Sequence, residues 1–109
     1  CDFNHTTLLD HAKAGHFAYV GDSILGRDAN LGAGTKFANL RFLPGNVTIF
    51  VNGKSTDTGR RKFGAILGDK SQTGCNSVTS PGTILGKKSI LMPNTTARGG
   101  FYPNKTIIR

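Results

Sequence analysis

The chain is 109 residues long, 37% hydrophobic and formally +8 at pH 7, which fits one small domain and leaves no apolar run long enough to span a membrane. The surplus of cations calls for an anionic partner. The basic residues are dispersed apart from Arg60-Arg61-Lys62, tryptophan is absent, and the seven Phe do not interleave with Lys or Arg; that pattern argues against a nucleic-acid platform and fits phosphorylated small molecules.

From the amino terminus onward a six-residue beat sets in. Units start at Asp2, Leu8, Ala14, Val20, Leu25 and Leu31, then again at Leu67, Thr73, Thr79, Leu85 and Leu91, and eight of these eleven starts are apolar. The fifth positions are more regular still. Thr6, Ala12, Ala18, Ala29, Thr35, Ser71, Ser77, Thr83, Ser89 and Thr95 are all small, and the unit from Val20, one residue short, is the exception. A repeat of this length cannot bury an apolar face alone, so it predicts a parallel β-solenoid in which short strands turn corners and like residues stack above like. About ten units predict three to four coils.

Between Leu40 and Leu67 the beat stops. Val47 to Val51 is rich in β-branched and aromatic residues and is followed by Asn52-Gly53, a strong hairpin signal. The segment 41–64 is therefore expected to be a hairpin or extended arm leaving the prism. Beyond Ala97 the residues Gly99, Gly100 and Pro103 interrupt the beat, and 97–109 is expected to cap the open end. The whole of 1–109 reads as one domain. Cys1 in the place of Met leads to the expectation of a fragment of something longer. Two cysteines, Cys1 and Cys75, give no disulfide framework, which predicts a reducing, cytoplasmic setting.

The six-residue pattern resembles the left-handed β-helix family, in which three hexapeptides make one triangular coil. The fold class implied is all-β, a left-handed parallel β-helix of hexapeptide repeats with a hairpin or arm excursion around residues 41–64. The handedness comes from the resemblance. The stretch Ala12-Lys13-Ala14-Gly15-His16-Phe17-Ala18-Tyr19-Val20-Gly21-Asp22, followed by Asn30-Leu31-Gly32-Ala33-Gly34-Thr35 and Asn39, is more specific. It is similar to the carboxy-terminal domain of the sugar-1-phosphate nucleotidyltransferases, of which the bifunctional glucosamine-1-phosphate acetyltransferase/N-acetylglucosamine-1-phosphate uridylyltransferases are representative.

That resemblance implies roles. His16 takes the place of the general base, Tyr19, Asn30 and Lys62 fall at the sugar-phosphate site, and Asn39, with Cys75 assigned beside it, falls at acetyl-CoA. The residue types suit the chemistry, because an imidazole near neutrality can take the proton from an amine attacking a thioester while main-chain N–H groups stabilise the oxyanion. The resemblance also implies a homotrimer with the site where subunits meet. His5 and His11 are spaced near His16, but no Cys or carboxylate is placed to complete a metal site, so none is expected.

Two functions follow from these residues. One is an acetyl-CoA-dependent N-acetyltransferase acting on an amino-sugar 1-phosphate. The other is a non-catalytic trimerising scaffold for an upstream nucleotidyltransferase domain. His16 and Asn39 favour the first; Leu40, Arg41 and Asn4, which depart from the family's pattern, favour the second. Nucleotidyl transfer itself has no place here, since Gly32-Ala33-Gly34 is a repeat corner that neither follows a lone strand nor opens a helix.

Overall fold

The computed structural model describes residues 2–40, 45–51 and 54–109. Strands β1 (Asp2–Asn4), β2 (Thr7–Leu8) and β3 (Lys13–Ala14) make the first coil, and β4 (Tyr19–Gly21), β5 (Ile24–Leu25) and β6 (Asn30–Leu31) the second. The third begins with β7 (Lys36–Phe37), is interrupted by a hairpin of β8 (Thr48–Val51) and β9 (Lys54–Asp57), and resumes with β10 (Ala65–Leu67) and β11 (Gln72–Thr73). Strands β12 (Val78–Thr79), β13 (Thr83–Leu85) and β14 (Ile90–Leu91) form the fourth coil, and β15 (Thr96–Ala97), β16 (Gly100–Tyr102) and β17 (Ile107–Ile108) the fifth. Stacking gives three five-stranded parallel sheets, the faces of a three-sided prism. The parallel β-helix expected from the repeat is the fold found.

Register explains why the beat exists. On the first face Phe3, Val20, Phe37, Thr79 and Ala97 stack in one inward column. The second face stacks Leu8, Leu25, Leu67, Leu85 and Tyr102, and the third Ala14, Leu31, Thr73, Leu91 and Ile108. The six-residue spacing thus returns an apolar side chain to the interior once per face. Each buried Leu is worth about 1.5–3 kcal/mol. The small fifth-position residues Ala18, Ala29, Thr35, Ser71, Ser77, Thr83 and Ser89 are buried beside the corners, where a larger side chain has no room.

Three expectations are corrected. The first unit is phased by Phe3, because Asp2 pairs with the outward Tyr19 while Phe3 pairs with the inward Val20. The coils number five rather than three to four: Phe37, Ala97, Tyr102 and Ile108 are also inward starts, hidden in the sequence by the excursion and by a third shortened unit after Ala97, like those from Phe3 and Val20. For the same reason the residues after Ala97 keep the beat and form the last coil.

The corners add a feature that composition did not reveal. Among the described residues ten that are not glycine, His5, His11, Phe17, Asp22, Asp28, Lys70, Asn76, Lys88, Asn94 and Lys105, have φ between 48° and 63°. Each turn needs the left-handed conformation, which glycine, Asn and Asp adopt readily and Lys does not. In return the corner amides bond along the prism: Lys70 N–H donates to Arg27 O at 2.8 Å and Lys88 N–H to Asp69 O at 2.9 Å.

The excursion is a hairpin, but it lies down on its own prism instead of leaving it. Thr48 to Val51 pair antiparallel with Lys54 to Asp57; the Asn52-Gly53 turn falls outside the described residues. Val47 is buried, and the Thr48 carbonyl comes so close to Gly82 that a Cβ there would sit 2.6 Å from it. At the hairpin's base Leu40 and Lys62 form an antiparallel bridge, Phe63 N–H donates to Asn39 O at 2.9 Å, and Gly64 N–H donates to Asp22 O at 2.9 Å. This base brings the basic run Arg60-Arg61-Lys62 against the second coil. Among the described residues no helix is long and apolar enough to cross a membrane.

Candidate functional site

Repetition distributes the expected site residues over the prism's corners. His16 lies in the turn from the third face to the first, with an exposed side chain and a carbonyl accepting from Gly34 N–H at 2.8 Å. The same carbonyl ladder continues through Ala33, which accepts from Asn76 N–H, to Cys75, which accepts from Asn94 N–H. His16 and Cys75 therefore share one corner two coils apart, roughly 10 Å at the usual strand spacing. Asn30 points outward on the third face, paired in register with Lys13, and lines a cleft of about 440 Å³ with His11, Lys13 and Asp28 at another corner.

The remaining expected residues gather at the corner between the first and second faces. Asn39 Nδ2 donates to Tyr19 Oη at 3.2 Å and to Asp22 Oδ2 at 2.8 Å. Lys62 lines an adjacent cleft of about 300 Å³ with His5, Asp22, Arg60 and Arg61. Tyr19, Asn39 and Lys62 thus come together in one chain, while His16 with Cys75, and Asn30, stand at the other two corners.

Asp22 is the residue that sequence reasoning left without a role. Its side chain is 4% exposed, and it is held by Arg60 Nη2 at 3.4 Å and faces the largely exposed His5 Nδ1 at 3.5 Å. A buried carboxylate is tolerable only with such partners. The shortened unit from Val20 places it there: with one residue missing, the left-handed corner falls on Asp22 (φ 48°), and the following Ser23 donates to Gly21 O at 2.7 Å and accepts from Ala65 N–H at 2.9 Å. The signal was the irregular unit itself. Gly21 completes the packing, because a Cβ there would run into the Asn39 amide and come within 2.8 Å of the Tyr19 hydroxyl. Among the described residues no group of three or more His, Cys, Asp or Glu side chains is gathered to hold a metal ion.

No protein-family model matches the chain. A bifunctional sugar-1-phosphate nucleotidylyltransferase/acetyltransferase from Sulfurisphaera tokodaii is 39% identical over 92 residues, 84% of this chain and 23% of that protein. The bifunctional protein GlmU of Methanococcus vannielii is 41% identical over 87 residues, 80% of this chain and 21% of the relative. That of Methanococcus maripaludis strain C7 is 40% identical over 102 residues, 94% of this chain and 25% of the relative. The matches lie in the C-terminal part of these proteins.

The chain is homologous to the C-terminal part of the bifunctional sugar-1-phosphate nucleotidylyltransferase/acetyltransferases. It spans about a quarter or less of the length of these curated relatives. A solved hexapeptide-repeat acetyltransferase from Vibrio cholerae superposes on 96% of this chain and 65% of its own, with a TM-score of 0.47 and 14% identity, a likeness too slight to bear on function.

Proposed function

We propose that this domain is an acetyl-CoA-dependent N-acetyltransferase acting on an amino-sugar 1-phosphate. The observation that carries the reading is the convergence of Tyr19, Asn39 and Lys62, with Arg60 and Arg61, around one open corner of a chain related to named acetyltransferases. The cations suit the phosphate, and Tyr19 and Asn30 suit the sugar. Asn39 and Cys75 are assigned to the coenzyme side. In the reaction the amine nitrogen attacks the thioester carbonyl, the N–C bond forms and the C–S bond breaks. His16 removes the proton from the amine, and the coenzyme leaves as its thiol once protonated.

The scatter of His16, Asn30 and Tyr19 over three corners favours a site completed between copies in a homotrimer. The outer surface of the second face supports this. Ile24, Ile66, Ile84 and Phe101 stack outward in one ladder, with Ile24 40% and Phe101 42% exposed, and a contiguous apolar surface of this kind is ordinarily covered by a partner. That face runs between the corner of Tyr19 and the corner beside Asn30.

The test is sedimentation equilibrium together with calorimetric titration of acetyl-CoA. A trimer binding one coenzyme per chain is expected. A folded trimer that binds none contradicts the proposal and favours the trimerising scaffold.

A further inference from the structure

We propose that Asp22 is a positioning residue that fixes the hydrogen-bond polarity of this corner, making Tyr19 an outward donor. The proposal deepens the acyl-transfer reading and, for its kinetic arm, rests on it. An ionised carboxylate only accepts hydrogen bonds, so the group 2.8 Å from Asp22 Oδ2 must be the Asn39 nitrogen. The usual ambiguity between the two ends of an Asn amide is thereby removed. The second N–H of that nitrogen meets Tyr19 Oη at 3.2 Å. Tyr19 is then an acceptor toward Asn39, and its own O–H proton points elsewhere, as does Asn39 Oδ1.

The corner consequently offers one phenolic donor and one amide acceptor. The cleft lined by Arg60, Arg61 and Lys62 borders it at Asp22. The partner for the phenolic proton is an acceptor oxygen, and beside this many cations an anionic phosphoryl oxygen fits best. Asn39 Oδ1 fits an N–H or O–H donor of the coenzyme, the side to which Asn39 is assigned. Asp22 reaches none of these atoms itself. Its backbone is fixed by Gly64 N–H, which donates to its carbonyl at 2.9 Å, and its carboxylate by Arg60, so Asp22 of the second coil is anchored at both points by the base of the hairpin.

The experiment compares the wild type with Asp22→Asn, Tyr19→Phe and the double swap that combines Asp22→Asn with Asn39→Asp, in steady-state acetyl transfer to an amino-sugar 1-phosphate. Asp22→Asn and Tyr19→Phe are each expected to raise KM for the sugar phosphate about ten- to a hundredfold with kcat within about twofold. The swap re-forms an amide–carboxylate pair and is expected to recover the melting temperature, yet Tyr19 must then donate inward to the carboxylate placed at position 39, so KM stays raised. Recovery of KM along with stability in the swap would show a purely structural role and overturn the proposal. An inactive wild type would defeat the acyl-transfer reading, and the relay is then read by nuclear magnetic resonance. The Asn39 side-chain N–H₂ protons, assigned with Asn39→Leu, are expected to exchange slowly in the wild type and rapidly in Asp22→Asn. Unchanged exchange would overturn the relay.

Discussion

Two threonines of the same prism are expected to respond in opposite directions to the same substitution. Thr79 is fully buried in the inward column between Phe37 and Ala97, and among the described residues its Oγ1 is the buried side-chain polar atom without a hydrogen-bond partner. Valine keeps the β-branched shape and replaces that hydroxyl with a methyl group. Thr79→Val removes a desolvated, unpaired hydroxyl and is expected to stabilise the chain by about 1–2 kcal/mol, raising Tm by about 4–8 °C for each kcal/mol in a domain of this size. Thr35 is equally buried, but its Oγ1 donates to Gly32 O at 2.8 Å and lies 2.9 Å from Thr73 Oγ1. Thr35→Val breaks both contacts and is expected to cost about 1–3 kcal/mol. Guanidinium unfolding followed by circular dichroism, with the slope unchanged, measures both. Destabilisation by Thr79→Val beyond about 0.5 kcal/mol, or shifts of the same sign in the two variants, would refute the reasoning.

Further expectations concern the middle coil, the corners and the site. Phe37→Ala empties the largest buried position in the coil that joins the two ends. It is expected to cost about 3–5 kcal/mol and, because coils contact only their neighbours, to split the unfolding curve into two phases; a single steep transition would count against that. Lys88→Gly relieves a side chain held at φ 58°. Set against the flexibility gained by the unfolded chain, it is expected to stabilise by roughly 0.5–1 kcal/mol, checked by the shift in Tm. Gly21→Ala pushes a methyl group toward the Asn39 amide and the Tyr19 hydroxyl. It should leave the far-ultraviolet spectrum intact while lowering kcat/KM about a hundredfold, and full activity would remove this pair from the site.

The fold was legible where the repeat was strict. Leucines at 25, 31, 67, 85 and 91 and the small residues from Ala12 to Thr95 encode inward columns and tight corners directly. Asp2 was the misleading start, because its neighbour Phe3 is the residue in register with the inward Val20. Phe37 was hidden because the excursion removes the rest of its unit, and Tyr102 because the unit before it is short. Of the candidate site, Tyr19, Asn39 and Lys62 were legible through resemblance. Asp22 and Arg60 were not, since their meeting depends on how the hairpin base folds back across 38 residues of chain, which no local pattern encodes. The lysines at left-handed corners were invisible for a related reason: the coil imposes that conformation against their own preference.

Thiol release from acetyl-CoA in the presence of glucosamine 1-phosphate or galactosamine 1-phosphate, measured with the wild type and with His16→Ala, tests the proposed chemistry most directly. His16 is exposed at its corner, so its truncation leaves the core untouched. The account predicts release that requires the amino sugar and falls by about a hundredfold or more in the variant. Equal release by both proteins, or none from a folded trimer, would contradict it.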